Sequence, residues 1–312
     1  MMRRRRSCSC ILVLAALVWP LLCNAQNAAT QPNAAAPAPA IETSHCQTFM
    51  EASPQMSPLS ALCEFALTYR RELPDFICEQ TSTHRAEVGG RPSVTVSKAQ
   101  VTYQKGHEYY SNVTIDGKRC EDNSFDGKRC EDNSFAYTNP MGFVSVGEFG
   151  SDLVDLFKPP IVARLKFRKI ARLRKIPSAV YEFEIAANKN TFWMLRDGQG
   201  ATVYPELKGE LWLNRQSGRL LRLELQTPHL PQSSEFRMVD ITIDYEEIQI
   251  ANAGTFLLPS QSQARVCMLG PEVSPKAFQG GRPLVCTMNS IVFDNCRKFV
   301  VKTHIVTDSQ EH

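Results

Sequence analysis

Residues 209–227 read GELWLNRQSGRLLRLELQT, and this stretch decides the fold. Leu211 and Leu213 alternate with polar or amphipathic neighbours, and Leu221, Leu223 and Leu225 do the same beyond residues 214–218. Apolar residues at period two mark a strand with one buried face, and the Asn, Ser and Gly between the two runs supply turn chemistry. The segment therefore predicts a β-hairpin that is greasy on one side.

The same pattern recurs along the chain. Val239, Ile241, Ile243 and Tyr245 alternate with Asp240, Thr242, Asp244 and Glu246, and the phase then flips to Ile248 and Ile250. This predicts a β-bulge near Glu246 and Glu247. A similar flip separates Val94 and Val96 from Ala99, Val101 and Tyr103. Two helices are expected among the strands. In the first, Ser57 is placed to cap and Pro58 suits the first turn, and Leu62, Phe65, Ala66, Tyr69 and Leu73 follow at helical spacing until Pro74. The second covers about residues 151–158, with Leu153, Leu156 and Phe157 on one side and Pro159 and Pro160 as its stop. Each helix has an apolar stripe, and a sheet is the one large partner available to bury it. The expected fold is mainly β (α+β), a curved antiparallel sheet or unclosed β-barrel with two short helices on its concave face.

The ends of the chain have other tasks. Arg3 to Arg6 precede a 12-residue apolar run at 11–22 and then Cys23, Asn24 and Ala25, which is the layout of a secretory signal peptide over residues 1–25. The apolar run is short for a membrane span. Residues 26–45, rich in Ala, Pro, Asn and Gln, read as a disordered tether. Residues 46–307 are expected to form one β domain, with 308–312 as a tail. The full chain has 35 Lys plus Arg and 32 Asp plus Glu. Removing the signal, which holds four Arg and no acid, leaves 31 against 32, so global charge gives no case for nucleic acid. The expected location is the periplasm or the extracellular space.

DGKRCEDNSF occurs at residues 116–125 and again, unchanged, at 126–135. Ten is an even number, so a strand through the repeat keeps its face, and an enlarged polar loop is the plain reading. Of 11 cysteines, Cys8, Cys10 and Cys23 leave with the signal. Cys267 and Cys286 bracket a Gly/Pro-rich stretch and are the leading disulfide candidate, worth about 3 kcal/mol on chain-entropy reasoning. Cys46 with Cys63 is a second pairing, and Cys296 competes for either loop cysteine.

Residues 164–174 carry the main surface feature. Arg164, Lys166, Arg168, Arg172 and Arg174 fall on even positions, so a regular strand would show five cations on one face over roughly 33 Å. Such a face suits an anionic envelope surface or acidic partner. The plainer reading is a solvated face neutralised by Glu182 and Glu184 on the returning strand. No GxSxG, HExxH, P-loop or Rossmann glycine pattern occurs, so no catalytic residues, metal ligands or cofactors are expected.

LPDFICEQT, GEFGSDLVDLFKP, the opening hairpin, ITIDYEEIQIANAGTFLLPSQSQARV and the closing NSIVFDNCRKF resemble, in order and spacing, a family of uncharacterised secreted bacterial proteins. The second half is more loosely similar to the periplasmic lipoprotein-carrier (LolA/LolB-like) superfamily. That resemblance implies an unclosed antiparallel barrel, helices plugging its mouth and an apolar cavity for acyl chains. The function expected is an exported envelope protein with a hydrophobic groove for a lipid, lipoprotein or other apolar ligand, lined in part by Trp193 and Trp212. The alternative is an interaction or sensing module whose core is filled and whose basic strand meets an anionic partner.

Overall fold

The computed structural model describes residues 46–48, 54–88, 91–105, 107–119, 151–157, 164–190, 193–196, 202–270 and 282–298. All of them fall in the unit spanning 41–312. The signal peptide, the tether, the second copy of the decapeptide and the tail lie outside the described residues.

After a 3₁₀ turn at Pro54–Met56 comes helix α1, Ser57–Glu72, and a shorter helix α2, Ser151–Phe157, follows later. The strands are β1 (Phe76–Val88), β2 (Arg91–Gln104), β3 (His107–Ile115), β4 (Lys118–Arg119), β5 (Lys166–Leu173), β6 (Ile176–Ile185), β7 (Leu195–Arg196) and β8 (Thr202–Val203). They continue as β9 (Leu207–Asn214), β10 (Leu220–Gln226), β11 (Phe236–Ile250), β12 (Gly254–Leu269) and β13 (Leu284–Lys298). Among the described residues, eleven strands form one antiparallel sheet in the order β4-β3-β2-β1-β13-β12-β11-β10-β9-β6-β5, and β7 pairs β8 separately. The sheet ends in β4 and β5 and is unclosed, as expected.

The alternation of the strands becomes one continuous inner face. Phe167, Tyr181, Leu211, Leu223, Ile243, Ser262, Ile291, Ser82, Ser97 and Ile115 stand in register across β5, β6, β9 to β13 and β1 to β3. All but Phe167 are buried. The opening hairpin is β9 and β10. Asn214 closes its turn by accepting from the Gln216 amide at 2.8 Å through Oδ1, and Gly218 adopts φ +71°. A register shift between Leu220 and Arg222 corrects one detail. Leu220, not Leu221, takes the inner position and is fully buried.

The bulges lie one strand over from where the phase flips pointed. The extra residue opposite Asp244 and Tyr245 is Ser260 in β12, and β11 runs through this point without one, its own extra residue being Arg237 near its start. Beyond this point β12 no longer pairs with β13, and the hairpin end serves two cores. Tyr245 and Leu257 pack in the first core, with residues of β6 and β9 to β12. Ile248, Ile250, Phe256 and Leu258, on the other side of the hairpin, join Phe76, Tyr103 and Phe293 in the second. Likewise β2 pairs evenly with β1 throughout, and the shift opposite Lys98 to Gln100 falls in β3, where Asn112 adopts φ +52°. The apparent flips arise because opposite faces of one strand are apolar at different points along its length.

Helix α1 also departs slightly from expectation. Met56 is its N-cap and makes no side-chain capping bond, Ser57 is the first helical residue, and Leu73 closes the helix through its amide to the Tyr69 carbonyl. Three disulfides among the described residues brace the fold. Cys267–Cys286 joins directly opposed residues of β12 and β13, and Cys46–Cys63 ties the segment before α1 to the helix. Cys78–Cys296 closes a 218-residue separation between β1 and β13, a pairing the sequence left open.

Gly209 faces Phe183 and Leu225 in adjoining strands. A Cβ there would run into the Glu224 carbonyl oxygen and the Phe183 ring. Gly209→Ala is therefore expected to cost about 2 kcal/mol of overpacking strain, read as a lower urea midpoint with unchanged slope. An unchanged midpoint would mean that β9 and β10 can spread at no cost. Replacing Cys78 and Cys296 together by Ala is expected to cost up to about 5 kcal/mol, measured by the same unfolding curve.

Candidate functional site

Among the described residues, the sheet presents an inner face and a turn end. The inner face is packed with the chain's own side chains over β6 and β9 to β12. Leu59, Leu62, Cys63, Ala66 and Leu67 of α1 and Leu153, Leu156 and Phe157 of α2 are buried there against the strand leucines and isoleucines. The Tyr181 hydroxyl donates to the Gln55 carbonyl at 2.6 Å, and burial pushes its pKa up to about 12, so it stays neutral. Trp193 belongs to this core. Asn190 fixes it, accepting from the Trp193 amide at 3.0 Å and donating to the Trp193 and Pro205 carbonyls. Trp212 points the other way, since Leu211 and Leu213 beside it take the inner positions. The two tryptophans named from sequence are thus on opposite faces of the sheet.

The turn end holds a pocket of about 410 Å³. Leu173 and Ile176 of the β5–β6 hairpin, Leu220 and Leu221 of β10, Tyr245 of β11 and Leu257 of β12 give it an apolar lining. Arg174, Arg219, Glu246 and Glu247 stand among the lining residues as two ion pairs, Arg174 with Glu246 and Arg219 with Glu247. These pairs are well exposed, so each holds the turns to β11 only weakly. Neither tryptophan lines this pocket, whereas Arg174 does. Its other members escaped sequence reasoning because they come from four separate turns and strand ends, which share no spacing signal.

On the outer face, burial alone would raise the Asp244 pKa. Hydrogen bonds from Arg222 (2.7 and 3.0 Å), Gln261 (2.6 Å) and Arg174 outweigh that and hold its carboxyl below the ordinary value. Arg174 reaches Asp244 at 2.8 Å from the β5–β6 turn. The same row places Trp212 beside Arg222, with the Lys169 ammonium 5.5 Å from the indole centroid. The Trp212 Nε1 is buried and has no hydrogen-bond partner among the described residues.

The basic strand is β5, and it does pair with the glutamate-bearing β6. The five cations named from residues 164–174, of which Lys166, Arg168 and Arg172 lie in β5, do not share a face. A register shift between Phe167 and Lys169 leaves Arg168 as an extra residue, so Lys166 stands with Glu182 while Arg172 stands with Pro177 on the opposite side. Arg168 pairs Glu210, and Glu184 is held below the usual carboxylate range by Lys208, with smaller contributions from Lys166 and Arg164. The even spacing in the sequence carried no sign of the bulge.

No family model matches the chain, and no curated protein matches it. Several solved structures are similar in fold. A DUF1329 family protein from Desulfovibrio piger is 12% identical with a TM-score of 0.39, over 79% of this chain and 95% of that one. A LolA superfamily protein from Nitrosomonas europaea is 11% identical with a TM-score of 0.34, over 78% and 94%. An outer membrane lipoprotein-sorting protein domain from Vibrio parahaemolyticus is 11% identical with a TM-score of 0.32, over 75% and 91%. No helix among the described residues is long and apolar enough to cross a membrane.

Asp244→Ala leaves Arg222 and Arg174 without their shared carboxylate, and is expected to cost about 3 kcal/mol in an unfolding experiment. The lowered folded pKa also sets a sign. The stabilisation is complete above the unfolded Asp value of about 3.9 and is lost as pH falls through the folded value. The difference in stability between wild type and Asp244→Ala should therefore hold from neutral pH to about 4 and shrink below it.

Proposed function

We propose that the protein is an exported cell-envelope binding protein that holds an apolar ligand, a lipid or the acyl part of a lipoprotein, at the turn end of its sheet. The observation that carries this reading is the pocket of about 410 Å³, which lies within the roughly 300–1,000 Å³ of ligand sites and has an apolar lining with a few charged groups at hand. The three disulfides among the described residues suit an oxidising compartment and agree with the signal-like N-terminus. The ligand's apolar part would meet Leu173, Ile176, Leu221 and Leu257, and its polar end would meet Arg174 and Arg219.

Protein purified under gentle conditions is expected to release acyl lipid detectable by mass spectrometry. Leu221→Trp, which fills the pocket from a half-exposed position, should weaken binding of a fluorescent fatty acid about tenfold while leaving the unfolding midpoint near wild type. Lipid-free protein with no fatty-acid affinity would overturn the reading.

A second reading is favoured by the packing of α1 and α2 on the inner face. In it the domain is an envelope interaction module that meets an anionic partner through Arg164, Lys166, Arg168, Arg172 and Arg174. Reversing Arg164, Lys166 and Arg168 to Glu should then abolish binding to an anionic surface or partner, whereas unchanged binding would remove the basic strand from consideration.

A further inference from the structure

The strand order leaves β5 at one end of the sheet, and among the described residues it pairs with β6 alone. Residues 164–175 hold seven cations, Arg164, Lys166, Arg168, Lys169, Arg172, Arg174 and Lys175, and no acid. Adding the return strand to residue 185 brings Glu182 and Glu184, so the edge hairpin stands at seven minus two, or +5. We propose that the outer edge of β5 accepts an acidic, extended polypeptide segment of a partner protein as an added strand. This deepens the second reading above by naming the partner and its mode of attachment.

Backbone geometry supports it. The Arg164 amide donates to the Glu184 carbonyl at 3.2 Å, and Lys166 is registered with Glu182. In an antiparallel pair, residues alternate between bonding their partner and facing away from it. The Leu165 and Phe167 amides therefore point away from β6, toward the side where a new strand would lie.

Charge placement then selects the occupant. A charged edge ordinarily prevents strands from adding to a sheet, and this one repels other copies of itself and any basic segment. An acidic segment is attracted instead. The bulge at Arg168 matters here, because it puts Lys166 and Lys169 on one face of the sheet and Arg172 on the other. An added strand has side chains on both faces and meets cations on both, while a flat anionic membrane can reach one face only. Ile170, half exposed in the middle of the strand, offers the added segment an apolar contact.

The test uses the full chain with a labelled acidic peptide rich in Glu and Val, and vesicles of phosphatidylglycerol as the competing surface. Strand addition predicts peptide binding together with slowed hydrogen exchange at the Leu165 and Phe167 amides. Lys169→Glu with Arg172→Glu should weaken that binding about tenfold or more, since the two lie on opposite faces. Lys118→Glu with Arg119→Glu, the same charge change on β4 at the other edge, should leave it unaltered. Unfolding midpoints would verify that both double variants fold. Peptide binding without added protection at Leu165 and Phe167 would overturn strand addition and leave the anionic-partner reading standing. Binding to vesicles and not to peptide would overturn it in favour of a membrane surface. Binding to neither would remove both.

Discussion

An unclosed sheet with one apolar face must have that face covered, and α1 is the element on which the cover depends. Its first turns bury Leu59, Leu62, Cys63, Ala66 and Leu67 in the core formed with β6 and β9 to β12. Its last turn places Tyr69 and Leu73 in the core formed with β1 to β3 and β13, and Phe65 packs against both. Full burial of one such leucine contributes about 1.5–3 kcal/mol, so the helix joins two cores that the sheet alone could not close. The restraints around it serve the same end. Cys46–Cys63 ties the approach to the helix, and Tyr181 and Tyr69 donate to the Gln55 and Leu257 carbonyls on either side.

The covered inner face leaves the pocket at the turn end and the β5 edge as the two proposed places of contact. The β5–β6 turn carries Arg174, which spans from the pocket to the buried Asp244 on the outer face. One guanidinium thus belongs both to the pocket lining and to the network of Arg222, Gln261 and Asp244. The strand leading into that turn is also the basic edge. Pocket and edge therefore share a hairpin.

The sheet, the hairpin of β9 and β10, the pairing of β5 with β6, both helices and Cys267–Cys286 were legible in the sequence, because each has a local signature. Period two, period three to four, turn residues and a cysteine pair flanking Gly and Pro act over a few residues. The bulges were misplaced by one strand. A bulge belongs to a pair of strands, and a phase change in Val239 to Ile250 does not say which partner holds the extra residue. The face of Arg172 was lost for the same reason, whereas Trp212 already falls opposite Leu211 and Leu213 in the alternation and Trp193 lies outside any strand.

The sequence by itself determined a mainly β fold with one buried sheet face, two helices to cover it, and a concentration of positive charge between residues 164 and 175. Tertiary structure alone decided that Asp244 gathers Arg174, Arg222 and Gln261, that Cys78 finds Cys296, and that leucines from separate turns line one pocket. The physical reason is range. Backbone hydrogen bonding and side-chain periodicity are set by near neighbours, whereas a pocket and a buried ion cluster depend on strand register and coiling summed across the whole sheet.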